Sequence, residues 1–503
     1  MAERAGDRLV REVLGRLPGV ARWHAGLGSV SIAEAVEAEA GSHAQGARIS
    51  PRLALRMERM TARLLGADVA AGLARRLADN PSVLVANHHG INTHPEFAQA
   101  TLLSALSEII RHAGPPAPAE ADTAPPEAIP VLACSTIALR SYSFPRGLLL
   151  GRQDARGAYV RLPLFPEALG DVMTHAAPAL TAPQVAQAMR QWSQRRLAQG
   201  ELAVARHVAE RFLLAPDVLE LPRFADQATV VNARLWRELF AESGPPPPAL
   251  AYLDMEEIVR DLLIEELEQE DSLFSFLLGH APARRMLYGR LQGVPGCWID
   301  GGPAGGNAGT AFFWLVSPQG RRCRLTYEES PAPCLRHKDI TISLEPETLI
   351  QALRQGTLVP GLFCSCVLLS QVHGLFPLGG MYMLDYLPRM LGAVREVAVA
   401  HGRRDLVRTD DPSAPCCALG SVFMPLHHES EGERRPAGML EMLRSGTACT
   451  RALPMIATLS AREAFRATAA LWYQECVPES DRSSGWRAAA DSLLNESAGY
   501  TLA

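Results

Sequence analysis

The stretch VLVANHHGINTHPEF, residues 83–97, decides how the chain is read. It follows Ser82 as a short apolar run with β-branched residues, which suits a strand buried on both faces. Three histidines and a glutamate then crowd into a turn. PEFAQATLLSALSEIIRHAG follows, with Phe97, Leu103, Leu106 and Ile110 on one helical face and Gly114 placed to end it. After a proline- and alanine-rich segment, GPPAPAEADTAPPEA, the run IPVLACST reads as a second buried strand. Strand, helix and strand make a βαβ unit with parallel strands and a right-handed crossover.

That topology locates a site. Residues at the carboxyl end of a parallel strand lie free of the ladder and beside helix N-termini, where ligands bind in open α/β sheets. Asn87, His88, His89 and His94 come from the first strand end, and Cys134, Ser135 and Thr136 from the second. Imidazole titrates near neutrality, so His88, His89 and His94 are candidate acids or bases. They are also candidate ligands of zinc or another divalent metal, which needs three or four donors. Cys134 is a candidate nucleophile if a histidine lowers its pKa. Thr93 and Glu96 have the spacing of a capping box, a structural role for the glutamate. Asn87 and Ser135 are candidate substrate contacts. So are Arg140 and Arg146, because an arginine fork matches carboxylate or phosphate.

The rest of the chain bounds the function. At 503 residues the expectation is about two to four domains. We divide it into a helical segment over 1–80, an α/β domain over 81–243 and an α+β domain over 250–503 with a helix-rich last third. The boundary is the four-proline run in SGPPPPAL. The expected fold class is α/β with a partly parallel sheet. A net charge of -5 and a pI near 6.3 give no basic footprint for nucleic acid. Gln355 to Leu384 carries no charged residue, but Pro360, Pro377 and five glycines interrupt it. It reads as buried core and not as a membrane span, which needs about twenty apolar residues in succession. No stable membrane insertion is therefore expected. The ten cysteines lack zinc-knuckle or redox-dithiol spacing, and reduced thiols in a cytoplasm are the simplest reading.

Further features are weaker. Ser50 and Pro51 signal a helix start. TAFFWLVSPQGRRCRLTY reads as two strands around a turn, ITISL as another strand, and PETLIQALRQG as a helix. DMEEIVRDLLIEELEQEDSLFSFLLG reads as an acidic amphipathic helix that breaks near Asp271. DGGPAGGNAGT is glycine-rich without the lysine of a phosphate loop. Tyr382 and Asp385, after Gly379-Gly380, are candidate substrate contacts at the end of the uncharged run. LHHES reads as a polar loop whose histidines are solvated or, as the alternative, add further ligands or a second base.

The order strand, Asn87-His88, helix, strand, then Phe144-Pro145-Arg146-Gly147 resembles the glycerolipid acyltransferases over residues 87–147. That resemblance implies acyl transfer with a histidine base. Counting from His88, Thr93 stands where the family's aspartate would fall, and counting from His89, His94 does; Arg146 stands where the family has glutamate, so the orienting partner of the histidine is missing. The residues themselves point to a cytoplasmic enzyme acting on a small anionic metabolite by histidine- or metal-assisted group transfer or hydrolysis. An acyltransferase and a non-catalytic binding or scaffold protein are the alternatives.

Overall fold

The computed structural model describes residues 5–44, 48–113, 127–153, 159–241, 247–299, 309–408, 416–419, 423–430 and 432–502. The proline-rich segment before the second strand and nearly all of DGGPAGGNAGT lie outside them.

Helices α1 (Ala5–Arg16), α2 (Pro18–Leu27) and α3 (Ile32–Ala44) lead to α4 (Pro51–Leu65) and α5 (Ala67–Asp79). The Ser50 hydroxyl accepts from the Leu53 N–H at 3.2 Å, the cap its position predicts. Then come β1 (Ser82–Leu84), α6 (Pro95–Ser104), α7 (Leu106–Ala113) and β2 (Ala128–Ala133). The helix expected after the histidine turn is thus two helices, broken at Ala105. β1 and β2 pair in parallel through Leu84 and Val131, as the βαβ reading requires.

The sheet has four parallel strands, and two of them come from later in the chain. β5 (Ala249–Asp254) lies beside β2, from Ala128 opposite Ala249 to Ala133 opposite Asp254. β8 (Phe376–Leu378), cut from the uncharged run, flanks β1. The order is β8-β1-β2-β5, so strands on both sides of the four-proline run build one sheet.

Alternation along these strands explains the burial. Leu84, Val131, Leu250 and Tyr252 enter one apolar cluster, and Val83, Leu132, Ala251 and Leu253 the other. Successive side chains point to opposite faces, so both faces of the sheet are covered. Each fully buried leucine there contributes about 1.5–3 kcal/mol. A hairpin, β3 (Gly147–Gln153) with β4 (Tyr159–Pro163), packs over the histidine turn. Further on, α8 (Phe224–Leu239) leads into β5, whose last residue caps α9 (Met255–Leu267). β6 (Phe313–Val316) and β7 (Arg322–Arg324) form the expected hairpin. Ile340–Ser343 is a strand and Pro346–Arg354 a helix, as the sequence suggests. LHHES differs. It is strand β9 (Leu426–Ser430), with His427 and His428 buried, because pairing on both sides draws it into a sheet.

The described chain is therefore α/β with a parallel sheet and a helix-rich C-terminal part, and no described helix is long and apolar enough to cross a membrane.

Candidate active site

The carboxyl ends of β1, β2 and β5 deliver polar residues to one rim. Past β1, His88 forms a bridge with Cys134, and the His89 N–H donates to the Cys134 carbonyl at 2.7 Å. Asn87 is buried and ties the turn to α6, donating to Thr101 Oγ1 at 2.9 Å. From α8, Asn232 donates to the Gly90 carbonyl and accepts from the Asn92 N–H, both at 2.8 Å. These clamps over-determine the turn. Gly90 has φ +148°, and a Cβ there would stand 2.8 Å from Pro145 Cβ. Gly90→Ala is expected to cost about 1–3 kcal/mol, through strain and a shift of the Phe144–Pro145 turn. Chemical denaturation measures it, and an unchanged midpoint would contradict the contact.

The three histidines separate as their alternation demands. His88 and His94 share one aromatic cluster, each within 5.3 Å of the Phe97 and Tyr142 ring centroids. His89 turns to the other side, edge-on to Tyr252, with Nε2 3.4 Å from Thr229 Oγ1. A common ion needs convergence of donors. Among the described residues no group of three or more His, Cys, Asp or Glu side chains is arranged to hold a metal ion. The donors therefore do not fit the three-histidine metal site considered from the sequence. Burial lowers all three pKa values, to about 4 for His88 and His89 and about 3 for His94. All three are neutral at physiological pH.

Other expectations shift as well. Thr93 Oγ1 accepts from the Leu149 N–H at 2.9 Å, so the hairpin takes the hydroxyl meant for a capping box. Helix α6 begins after His94 with no side-chain cap. The Cys134 thiol lies 3.2 Å from Glu256 Oε1, and burial followed by that carboxyl pushes its pKa well up. It is a donor here, not a thiolate nucleophile. Arg146 is buried, with Nε donating to the Phe165 carbonyl at 2.8 Å and Nη1 on Glu167. Its fork is committed to the fold and not offered to substrate. Arg140 is mostly exposed and paired with Asp171. Asp385 accepts from the Gly19 N–H at 2.9 Å, and Tyr382 Oη lies 3.7 Å from Cys476 Sγ.

The densest chemistry at the rim involves residues not singled out from the sequence. Asp254 ends β5, and Glu256 begins α9. Ser135 Oγ donates to Asp254 Oδ1 at 2.6 Å and lies 3.0 Å from Glu256 Oε2. The Ser135 N–H donates to Glu256 Oε2 at 2.6 Å. His175 Nδ1 stands 2.9 Å from Asp254 Oδ2, and its backbone N–H is held by the Ser135 carbonyl at 3.0 Å. Asp254 and Glu256 are each 2% exposed, deep enough for strong mutual influence.

These environments push the two carboxyls apart. Burial would raise Asp254, but the His175 charge and hydrogen bond hold it well below the ordinary carboxylate range. Glu256 is raised by burial and by the charge of Asp254. One hydroxyl proton serves only one carboxylate, so the second Ser135 contact is complete when Glu256 carries the proton. Burial works against the charged form of His175, yet attraction and hydrogen bonding by Asp254 outweigh it and raise its pKa. Two carboxyls driven in opposite directions are the pattern of an acid–base pair. The site is not a serine triad. Nδ1, not Nε2, is the ring nitrogen near Ser135, and it is 3.5 Å away.

Arg322, at the start of β7, lines the same rim. It is exposed, donates to the Thr136 carbonyl at 3.3 Å and lies over Trp314 with Cζ 4.8 Å from the ring centroid. It has no acidic partner among the described residues, and its charge reaches His88 and Cys134.

The chain matches no protein-family model, and no curated protein or solved structure matches it at a significant level. The site is therefore interpreted from its own chemistry.

Proposed function

We propose that this protein is a cytoplasmic enzyme acting on a small anionic metabolite by histidine-assisted group transfer or hydrolysis. The observation that carries the reading is the 2.9 Å contact of His175 Nδ1 with the buried Asp254, at the carboxyl rim of a parallel sheet. Asp254 fixes the tautomer with hydrogen on Nδ1, leaving Nε2 to take a proton from water or a substrate hydroxyl. The imidazolium that results is stabilised by Asp254. Glu256 keeps its proton through burial and serves as the complementary acid. Arg322, without a counter-ion in the described structure, receives the anionic group.

A base must be unprotonated, so turnover is expected to rise with pH through the raised pKa of His175. His175→Gln should lower turnover of a responsive phosphate, carboxylate or thioester substrate by about 10²–10⁴-fold. Glu256→Gln keeps a donor toward Ser135 Oγ but loses the acceptor of the Ser135 N–H, and should slow release of the leaving group. Hydrolysis assays over such a panel, wild type against both variants, are the check. Turnover equal in wild type and His175→Gln would refute the assignment.

A second reading is acyl transfer of the glycerolipid acyltransferase type. It is supported by the packing of Pro145 on Gly90 and by His88 Nδ1, 2.8 Å from Ser143 Oγ. In the thioester arm of the same assay it predicts loss in His88→Ala with His175→Gln unaffected. A scaffold protein predicts no turnover dependent on either histidine.

A further inference from the structure

Beside the histidine turn, five rings meet. His94 lies with its centroid 5.2 Å from Phe97, 5.3 Å from Tyr142 and 5.2 Å from Tyr159, the two tyrosines edge-on. His88 completes the group against Phe97 and Tyr142. His94 is 5% exposed, and its Nδ1 has no hydrogen-bond partner among the described residues. Tyr142 is 46% exposed, so the cluster is open on one side and is not sealed core.

Two carboxyls border this opening. Glu96 precedes Phe97 in α6, and Glu475 precedes Cys476, whose Sγ contacts Tyr382 Oη, at the end of helix α10 (Ala461–Cys476). Neither makes a hydrogen bond or ion pair with the described residues. The charges of both act on Tyr142, Tyr159 and Tyr382, so the two carboxyls lie near all three rings. Burial, then the charge of Glu475, pushes Glu96 up to about 8. Of the arginines whose charge reaches these rings, Arg322 acts on His88, Arg161 on His94 and Arg435 on Tyr159. Arg161 stacks on Phe144, and Arg435 pairs with Glu433 and Asp491.

Electron-rich ring faces are complementary to a cation that is bulky and weakly hydrated, and such a cation would favour the ionised forms of Glu96 and Glu475, which burial otherwise holds back. We infer that the recess formed by Phe97, Tyr142, Tyr159 and Tyr382, with Glu96 and Glu475 at its border, binds an organic ammonium group. This goes beyond the proposed reaction.

Binding tests this without turnover, so its failure is separable from failure of the catalytic reading. Choline, ethanolamine and the uncharged 3,3-dimethylbutan-1-ol are titrated into the full chain by calorimetry or ligand-observed NMR. At least one ammonium compound is expected to bind about tenfold or more tightly than the neutral one. That binding should weaken about tenfold in Tyr142→Ala and in Glu96→Gln/Glu475→Gln. Tyr142 and Glu475 are exposed, which leaves the fold of Tyr142→Ala and of Glu475→Gln alone intact. The inference is overturned if neither ammonium compound outbinds the alcohol, or if binding is unchanged in these variants.

Discussion

Asp254→Asn should drop the pKa of His175 to or below the ordinary imidazole value and remove about 10³–10⁴-fold of any turnover that depends on it. The reason is the sign of each contribution. Burial alone lowers a histidine, and only the attraction and hydrogen bond of Asp254 carry His175 the other way. With an amide in its place, burial is left unopposed, and the amide can turn its NH₂ toward Nδ1 and favour the wrong tautomer. Stability should fall by about 3 kcal/mol, the cost of removing one partner from a buried pair. Its pH dependence should change on both sides. Asp254 is depressed in the folded protein, so its contribution is present above the unfolded carboxylate pKa and lost as pH falls. His175 is raised, so its contribution is present below about 6.5 and lost as pH rises through its folded value. The variant should lose both limbs. NMR titration of His175 in wild type and variant decides the matter, and an unmoved pKa would sink the dyad.

That pair was the least visible part of the site, for physical reasons. Local signals were legible: the Ser50 cap and the hairpin over 313–324 rest on contacts near in sequence, and the strand–helix–strand around the histidine turn on the local apolar pattern of each element. ALAYLD, by contrast, runs straight into MEEIVRDLL. Acidic residues are ordinary in a first helical turn, so Asp254 and Glu256 resemble helix dressing until β5 pairs with β2. The short apolar run before them was the available signal. His175 sits in a one-turn 3₁₀ helix without periodicity, and backbone bonds far along the chain, from Thr174 to Ile137 and from His175 to Ser135, bring it to the rim. Arg146 and Cys134 were visible as types but not as partners. Arg146 is spent on Glu167 and the Phe165 carbonyl, and Cys134 on Glu256. Residue type suggests what a group can do, whereas partners far along the chain decide whether it is free to do it.

Acid should unfold this protein early and steeply, and the histidine turn should account for much of the slope. His88, His89 and His94 stay neutral in the fold down to about 4, 4 and 3, whereas in the unfolded chain they take up protons near 6.5. Their folded pKa values are depressed, so the stability they carry is present above about 6.5 and lost as pH falls toward the folded values. Each imidazole costs about 1.4 kcal/mol by about pH 5.5, and the three together about 4 kcal/mol, a large part of a typical total of about 5–15 kcal/mol. His373 and His427, also lowered by burial, act in the same direction. His175 acts in the opposite one and offsets part of the loss. Urea denaturation at about pH 7.5 and 5.5 measures the difference. His94→Gln, unable to take a proton, should flatten the dependence by about a third of the three-histidine share, whatever it does to absolute stability. An equal slope in wild type and variant would mean that His94 is protonated in the folded protein. The neutral, ring-packed turn could not then exist as described.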